Sequence, residues 1–224
     1  MKNLTLIIPA RKEKESLPQV IDKIKNLDCK KKIILAPDDI DTINAIKNLN
    51  VDIIYQDHRG YGDALITGIN NVDTDYFCIF NADGSFNPSE LPGMLELIKN
   101  SNLDFVFGSR YQNNSGSDDD TIVTFIGNKI FTLMGKVLFK LTITDILYTF
   151  VVGRADKAKE LNLSEKNFNF CVELPIKAKK LNMKMESTSS YERERISGIK
   201  KVNAFKDGLS ILIHMIKLLF WNKK

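Results

Sequence analysis

Three oxygen-bearing side chains follow a short apolar segment near the middle of the chain. Asn81, Asp83 and Ser85 come directly after Ile79 and Phe80, which have the apolar character of a buried strand. Alternate residues of a strand point the same way, so Asn81 and Asp83 are expected on one side of the chain. Oxygen ligands at this spacing can hold Mg²⁺ or Mn²⁺, and such a cation neutralises a leaving diphosphate. The spacing predicts a cation site, although a single Asn-x-Asp pair is also common in ordinary turns.

Four further polar runs follow apolar segments of the chain. They occupy residues 9–13, 37–39, 56–60 and 108–110. In open parallel α/β sheets, ligands bind outside the carboxyl ends of the strands, so these runs are the next positions to consider. Any one of them is explained as an ordinary solvated loop. Five such runs at one sheet edge instead predict a binding site that several loops build together.

Other candidate groups are less specific. Residues 60–64 contain two glycines at a helix start, but they match neither the dinucleotide fingerprint nor the Walker phosphate motif. Arg110 and the basic cluster at residues 193–201 could pair with phosphates, and they could equally form a solvated charged face. His58 and His214 are isolated in the sequence, so neither is assigned a catalytic or metal-binding role.

Composition limits the partners and the compartment. The chain has 224 residues, of which 43% are hydrophobic, and a formal net charge of +4. From residue 175 onward, 12 Lys and Arg residues stand against four acidic residues, which favours phosphates, nucleotides or an acidic lipid surface as partners. No motif predicts a nucleic-acid partner. Cys29, Cys78 and Cys171 are far apart in the sequence, which favours a reducing cytoplasm over a disulfide framework.

The elements that position these residues follow a repeating pattern. Short apolar runs, such as residues 4–8, alternate with segments of helical period, such as residues 16–27. The alternation continues to residue 107. Repeated βα units predict a Rossmann-like α/β fold, in which a mostly parallel sheet carries helices on both faces. The length and the apolar content predict a single domain over residues 1–224.

The second half of the chain does not continue the alternation of short apolar runs and helical segments. Residues 111–121 are polar without an apolar period and form a candidate mobile loop. Strands are predicted near residues 148–152 and 183–187. Residues 122–141 and 204–221 predict amphipathic helices, which suit either a membrane interface or docking on the core. No signal peptide and no uninterrupted apolar run of spanning length are found, so we expect a soluble or membrane-surface protein.

The polar runs, in their order along the chain, resemble the family 2 glycosyltransferases with the GT-A fold. The resemblance is strongest to the polyprenyl-phosphate branch typified by dolichol-phosphate mannose synthase, and it covers nearly the whole chain. The matching runs are residues 7–13 (similar to Ile-Pro-Ala-Tyr-Asn-Glu), residues 60–64 with Gly68 (Arg-Gly-x-Gly-x-Ala), residues 81–88 (the Asp-x-Asp metal motif and its trailing Pro), residues 108–110 (Gly-Ser-Arg) and residues 195–201 (Arg-x-x-Gly-x-Ser-Lys).

The resemblance implies roles for individual residues. It implies a GDP- or UDP-linked sugar donor and a Mg²⁺ or Mn²⁺ ion held by Asn81, Asp83 and Ser85. It implies catalytic roles for Asp83 at the leaving diphosphate, for Arg110 as a positive charge and for Asp145 on the acceptor side. The residues that it places at the donor are Pro9, Ala10, Glu13, Asp38, Arg59, Gly60, Asn81, Ala82, Arg195 and Lys201.

The sequence departs from the family pattern at three positions. Asn81 stands where the first Asp of the metal motif is usual, Lys12 where Asn is usual, and Pro37 where one of two adjacent Asp residues is usual. Asparagine keeps an oxygen ligand but loses a negative charge, so metal affinity is expected to fall. Base or sugar selectivity cannot be carried over by analogy at Asp38, which follows Pro37.

The implied reaction is an inverting, metal-dependent transfer of a sugar from a nucleotide-sugar to an acceptor, expected to be a polyprenyl phosphate. Residues 1–110 would form the nucleotide-sugar half, residues 111–203 the acceptor half, and residues 204–224 an amphipathic helix able to contact the cytoplasmic face of the membrane. Two alternatives stand beside this prediction. One is a sugar nucleotidyltransferase, although residues 9–13 lack the glycine-rich loop that it needs. The other is a donor-binding protein without turnover, which the departure at Asn81 suggests.

Overall fold

A computed structural model describes residues 1–198 and 203–222. The strands are β1 (Leu4–Ala10), β2 (Lys30–Leu35), β3 (Asp52–Tyr55), β4 (Tyr76–Ile79), β5 (Phe105–Ser109), β6 (Gly116–Ser117), β7 (Val151–Arg154), β8 (Met185–Ser189) and β9 (Tyr191–Glu192). The helices are α1 (Ser16–Ile24), α2 (Ile40–Ile46), α3 (Tyr61–Asn70), α4 (Leu91–Asn100), α5 (Ile122–Phe139), α6 (Ala155–Glu160), α7 (Phe170–Lys180) and α8 (Ala204–Leu219), with a 3₁₀ turn at Pro88–Glu90.

Seven of the strands form one sheet, in the order β3-β2-β1-β4-β7-β5-β8. Every neighbouring pair is parallel except the two pairs that β7 makes, because β7 runs antiparallel to both β4 and β5. The predicted α/β fold with a mostly parallel sheet is therefore confirmed. Parallel neighbours need crossover connections. Helices α1 to α3 lie in the connections among β1 to β4, and helices α5 to α7 lie in the connection from β5 to β8.

Helices cover both faces of the sheet, as predicted. Neighbouring residues of β1 point to opposite faces, so Ile7 belongs to one hydrophobic core while Leu6 and Ile8 belong to the other. The Ile7 core also includes apolar residues of α3, α6, α7 and α8, and the second core includes those of α1, α2 and α4. All seven residues of β1 are buried, which explains its continuous apolar run.

The second half of the chain supplies two strands to the same sheet. The strand predicted near residues 148–152 begins three residues later, as β7 (Val151–Arg154), and it lies between β4 and β5. Tyr148 and Thr149 instead precede the strand and line a cavity. The strand predicted at residues 183–187 is β8 (Met185–Ser189), parallel to β5. Residues 1–110 and the later part of the chain thus contribute strands to one sheet.

The polar segment at residues 111–121 is held to the chain after β8. Its strand β6 (Gly116–Ser117) pairs with β9 (Tyr191–Glu192). The Tyr191 hydroxyl donates to Asp118 Oδ1 at 2.6 Å, and the Ser189 hydroxyl donates to the Asn113 carbonyl oxygen at 2.6 Å. The segment lacks an apolar period because these contacts are polar. It is fastened by hydrogen bonds in place of core packing.

Helices α5 and α8 pack on each other and expose long apolar faces. Helix α5 starts with a capping box between Thr121 and Thr124 and contacts α7 and α8. By length and composition, α5 is the one helix in the described part of the chain that could cross a membrane, although Lys129 and Lys136 interrupt its apolar run. The large apolar residues that the two helices expose are Ile122, Val123, Phe125, Ile126, Ile130, Leu133, Val137, Leu138, Phe205, Leu209, Ile213, Ile216 and Leu219.

Candidate functional site

A cavity of about 610 Å³ lies beyond the carboxyl ends of β1, β4 and β5. Parallel strands end at the same sheet edge, so the polar runs that follow them meet there. The sequence-predicted residues that line this cavity are Pro9, Ala10, Glu13, Arg59, Gly60, Asn81, Ala82, Asp83, Arg110 and Arg195. Three predicted residues, Asp38, Ser85 and Asp145, are not in the cavity wall, and the prediction for Lys201 falls outside the described residues.

Asp83 sits in a tight turn after β4. Its Oδ1 accepts hydrogen bonds from the Ser85 backbone N–H at 3.0 Å and from the Ser85 hydroxyl at 2.7 Å. These bonds fix the carboxylate and leave Oδ2 on the side of the cavity, 3.7 Å from the Arg195 guanidinium. Ser85 is buried, so it orients Asp83 and does not itself line the cavity.

Asn81 is connected to two residues that the sequence motifs did not indicate. The Tyr61 hydroxyl donates to Asn81 Oδ1 at 3.2 Å and shares a hydrogen bond of 2.7 Å with the Thr149 hydroxyl. Burial raises the pKa of Tyr61 far above its ordinary value, so the phenol remains a proton donor at neutral pH. The Tyr61 ring stacks on Phe168 with centroids 5.4 Å apart, which fixes the ring that orients Asn81.

The start of α3 needs glycine for close packing. Gly60 has φ 134°, a backbone conformation that L side chains rarely adopt, and a Cβ there would lie 2.0 Å from the Lys166 carbonyl oxygen. The same carbonyl accepts the Asp63 backbone N–H at 3.0 Å. The loop that carries Asn167 and Phe168 is therefore pressed against the first turn of α3. This contact forms one wall of the cavity.

Three charged residues stand at the outer rim of the cavity, near the ends of β1 and β2. The Arg59 guanidinium contacts Asp38 Oδ2 at 2.6 Å, and the Arg11 guanidinium lies 3.7 Å from the same oxygen. Asp38 is half exposed and is held between two cations. In this arrangement Asp38 reaches a ligand only from the rim, beside the arginines that do line the cavity.

Lys12 has left-handed backbone geometry in the loop after β1, with φ 54°, and its backbone N–H donates to Asp39 Oδ2 at 2.6 Å. Asparagine tolerates this conformation better than lysine. We expect Lys12→Asn to raise stability by about 0.5 kcal/mol, a gain of about 1–2 °C in Tm measured by calorimetry. Lys14→Asn, an exposed change two residues away, is the control and should give no gain. Equal Tm changes for both variants would contradict the argument.

Arg110 is surrounded by carboxylates. Its Nε and one terminal nitrogen donate to the two oxygens of Asp145 at 2.7 and 3.0 Å, and its backbone N–H donates to Asp145 Oδ2 at 3.2 Å. The other terminal nitrogen lies 3.1 Å from Glu192 Oε2 and 3.5 Å from Asp120 Oδ1. The guanidinium also stacks 4.7 Å above the Tyr148 ring. Arg110 is thus a buried cation at the cavity wall that three carboxylates neutralise.

Asp145 has no exposed surface, and both of its oxygens bond to Arg110. Burial lowers the pKa of the Arg110 guanidinium, but the Asp145 carboxylate and its neighbours outweigh that effect and hold the pKa well above its ordinary value. Asp145 therefore does not contact the cavity. It can act on a ligand only by positioning Arg110.

The segment that carries Arg195 runs beside the Asp83 turn. The backbone N–H of Arg193 donates to the Ser85 carbonyl oxygen at 2.9 Å, and that of Ile196 donates to the Asp83 carbonyl oxygen at 2.8 Å. Gly84 adopts φ 83° and leaves room for the Ile196 side chain, which a Cβ at that position would approach to 2.4 Å. Arg195 is consequently placed opposite Asp83. The distance in sequence between residues 83 and 195 hides this pairing.

Sequence reasoning missed several residues of the cavity wall. They come from the first turns of α3 and α7, from the polar segment before α5 and α5 itself, from the segments before β7 and α7, and from β9. No local spacing signal marks them, because each reaches the cavity through tertiary packing. The residues are Tyr61, Asp119, Asp120, Thr124, Asn128, Thr149, Asn167, Phe168, Cys171 and Glu192. Burial raises the pKa of the Cys171 thiol to about 12, so it is not a nucleophile at neutral pH.

The oxygens at the Asp83 turn fit a hard divalent cation. Such ions are commonly bound through one or two carboxylates, with the remaining ligands supplied by substrate phosphates and water. Asp83 provides one carboxylate and Asn81 one amide oxygen in the same cavity. Among residues 1–198 and 203–222, no group of three His, Cys, Asp or Glu side chains is arranged to hold a metal. A cation bound at Asp83 and Asn81 would complete its coordination with water or with phosphate oxygens of a ligand.

The fold has close counterparts among solved structures. Glucosyl-3-phosphoglycerate synthase from Mycobacterium tuberculosis, solved with Mn²⁺, UDP and glucosyl-3-phosphoglycerate, superposes with a TM-score of 0.78. The superposition covers 100% of this chain and 82% of that one, at 12% sequence identity. The sheet, its flanking helices and the cavity at its carboxyl edge define a GT-A glycosyltransferase fold.

The profile of the family described as Glycosyl transferase family 2 matches residues 5–161, and the chain belongs to that family. It is 24% identical over 214 residues to a low-salt glycan biosynthesis hexosyltransferase of Haloferax volcanii, covering 92% of this chain but only 51% of that protein. It is also 24% identical over 221 residues to an undecaprenyl-phosphate mannosyltransferase of Micrococcus luteus, covering 91% of this chain and 88% of that protein. The chain thus spans about half the length of the first relative and most of the second.

Proposed function

We propose that this protein transfers a sugar from a GDP- or UDP-linked donor to a polyprenyl phosphate, with inversion at the anomeric carbon. The observation that carries the proposal is the convergence of the β1 loop, the Asp83 turn and Arg195 on one cavity. Family membership favours glycosyl transfer over nucleotidyl transfer. The Micrococcus relative, an undecaprenyl-phosphate mannosyltransferase, supports a lipid phosphate as the acceptor class.

The nucleoside and the diphosphate of the donor would occupy different parts of the cavity. The nucleoside would lie along the β1 loop, near Glu13 and the rim residues Asp38 and Arg59, and the diphosphate would lie between Asp83 and Arg195. A Mg²⁺ or Mn²⁺ ion held by Asp83, with Asn81 as a weaker ligand, would neutralise charge on the leaving diphosphate. Arg195 would add a second positive charge from the opposite wall.

In the transfer step, a phosphate oxygen of the acceptor attacks the anomeric carbon while the bond to the donor β-phosphate oxygen breaks. The nucleoside diphosphate leaves with the electron pair of that bond. A phosphate oxygen already carries negative charge, so no strong general base is needed. Arg110 would stand on the acceptor side, held in place by Asp145.

The cavity extends to the helices that expose apolar faces. Thr124 and Asn128 of α5 and Ile211 of α8 line it. A ligand with a charged head and an apolar tail could therefore place its head at Arg110 and its tail along α5 and α8. We propose that these two helices contact the cytoplasmic face of the membrane, where Lys129 and Lys136 would meet anionic lipid headgroups.

The membrane contact is tested by charging its apolar face. Leu133 on α5 is 61% exposed, so Leu133→Glu should leave folding intact and weaken binding to vesicles of phosphatidylcholine and phosphatidylglycerol at least about tenfold in a flotation assay. The matched control is Ile40→Glu on α2, because Ile40 is 58% exposed and lies outside the two helices. Equal vesicle binding by both variants would contradict the contact. The contact would also be contradicted if the parent chain dimerised through Leu133 and did not bind the vesicles.

The donor proposal is tested by a thermal-shift panel of UDP- and GDP-sugars in the presence of Mn²⁺. A ligand that binds only the folded state raises stability by about 2.7 kcal/mol at 100 times its dissociation constant. One nucleotide class should therefore raise Tm clearly above the others. A flat panel, with Mn²⁺ and polyprenyl phosphate both present, would count against the donor site.

A second candidate function is donor binding without turnover. Asn81 favours this function, because it leaves Asp83 as the one carboxylate of the motif. The amide oxygen of Asn81 also already accepts a hydrogen bond from the Tyr61 hydroxyl. The two candidates separate in one assay. Selective Tm gains with no sugar transfer to lipid phosphate, across Mg²⁺ and Mn²⁺, would favour the binding protein, and transfer at any measurable rate would exclude it.

A further inference from the structure

The backbone on either side of Arg195 is fixed to the Asp83 turn. The hydrogen bonds from Arg193 N–H and Ile196 N–H to the carbonyl oxygens of Ser85 and Asp83 hold the segment, and Ile196 packs over Gly84. Arg195 therefore cannot leave the site by movement of its backbone alone. Its long side chain is the part that remains able to change partners.

The guanidinium of Arg195 is shared between two carboxylates. One terminal nitrogen lies 3.5 Å from Asp119 Oδ2 and 3.7 Å from Asp83 Oδ2, both long for charge-assisted hydrogen bonds. The Nε–H is buried and has no acceptor among residues 1–198 and 203–222. Buried polar groups are normally satisfied, so Arg195 carries donor capacity that its described neighbours do not use.

We propose that Arg195 is an internal counter-ion of Asp83 that competes with a divalent cation, and that a nucleoside diphosphate relieves this competition by drawing the guanidinium onto its phosphates. This proposal rests on the proposed function. In the free protein, Arg195 neutralises the carboxylate that a cation would need. With a diphosphate bound, the unused N–H groups gain phosphate acceptors and Asp83 Oδ2 becomes available.

The neutral side chain of Asn81 increases the effect that this competition has on cation binding. A motif with two carboxylates could pair one with arginine and still offer a charge to a cation. Here the neighbouring side chain is a neutral amide whose oxygen accepts from Tyr61, so Asp83 carries the one charge of the motif. Arg195, which also lies 3.5 Å from Asp119, competes with a cation for that charge. Cation and nucleotide should therefore each raise the affinity of the other, by equal factors, because linkage is reciprocal.

The test is a titration of the full chain, and of its Arg195→Gln variant, with Mn²⁺ alone. The free Mn²⁺ is measured by electron paramagnetic resonance. The Arg195–Asp83 pair is long, at 3.7 Å, so we expect it to contribute up to about 1 kcal/mol, and the free variant should bind Mn²⁺ about fivefold more tightly than the parent. Saturating UDP, and separately GDP, should strengthen Mn²⁺ binding in the parent. That enhancement should fall by about the same fivefold factor in Arg195→Gln.

Three further variants isolate the effect. Arg195→Lys keeps the charge and should bind Mn²⁺ within twofold of the parent. Arg193→Gln removes a charge from the same segment, outside the cavity wall, and should also stay within twofold. Arg195→Met is a second neutral variant, to be used if the Arg195→Gln variant does not unfold cooperatively. Unchanged or weaker Mn²⁺ binding by the free neutral variants would overturn the competition.

The outcome also separates this inference from the proposed function. A parent chain that binds neither UDP nor GDP in the presence of Mn²⁺ would overturn the proposed donor site and the nucleotide half of this inference. Tighter Mn²⁺ binding by free Arg195→Gln would still support the competition at Asp83. Nucleotide enhancement that is equal in the parent and in Arg195→Gln would overturn the relief by diphosphate while leaving the donor site intact.

Discussion

An Asp83→Asn variant is expected to lose at least about a hundredfold in kcat/KM for sugar transfer, which is the cost of removing one preorganised charge-stabilising group. Asp83 lines the cavity, and its Oδ2 lies 3.7 Å from the Arg195 guanidinium, while Ser85 holds the other oxygen through two hydrogen bonds. Asparagine can keep the fold of the turn by accepting the same two bonds. It cannot supply the negative charge that a divalent cation needs, so the loss should fall on chemistry and metal dependence more than on stability.

The measurement is transfer of radiolabelled sugar to polyprenyl phosphate in detergent, over a range of Mn²⁺ concentrations. Asp41→Asn is the matched control, because Asp41 is an exposed carboxylate on α2 that pairs with Lys14 at 3.6 Å outside the cavity. The control should transfer at the parental rate, and both variants should keep the parental Tm within about 2 °C. Transfer by Asp83→Asn at the parental rate would remove Asp83 from the proposed role.

The fold was largely predictable because its signals are local. Each parallel strand is a short apolar run buried on both faces, and each is followed by a segment of helical period that covers one face. The polar runs after the strands were predictable as a group for the same reason, since the topology brings the carboxyl ends of parallel strands to one edge. That is why Pro9, Glu13 and Asp83 meet in the cavity.

Other parts of the site could not be read from spacing. Arg110 bonds to Asp145 and Glu192, which lie 35 and 82 residues away in the sequence. This contact depends on the antiparallel insertion of β7 between β4 and β5, and no local pattern indicates it. The sequence around Asp145 does not indicate whether its carboxylate faces a ligand or a buried arginine. Tertiary burial decides between the two, and here the carboxylate is enclosed.

Asp145→Ala is expected to destabilise the protein by about 3–5 kcal/mol, because it removes the one fully buried carboxylate that is paired with Arg110 and leaves two buried guanidinium N–H groups without their acceptors. Asp145 is fully buried, and it accepts three hydrogen bonds from Arg110, two from the guanidinium and one from the backbone. Glu192 and Asp120 would remain near the guanidinium, at 3.1 and 3.5 Å, so the loss should not exceed this range. A total stability of about 5–15 kcal/mol makes such a loss large.

Urea unfolding measures this loss through the transition midpoint. The matched control is Asp156→Ala, which breaks an exposed Arg–Asp pair at 3.3 Å and should cost no more than about 1 kcal/mol. The double variant Arg110→Met with Asp145→Leu removes both members of the pair but leaves Glu192 and Asp120 without the guanidinium that they contact, so it should not restore the parental midpoint. It should also not recover sugar transfer, because it lacks the Arg110 guanidinium that we propose for the acceptor side of the cavity. Equal unfolding midpoints for Asp145→Ala and Asp156→Ala would show that the buried pair does not hold Arg110 in place.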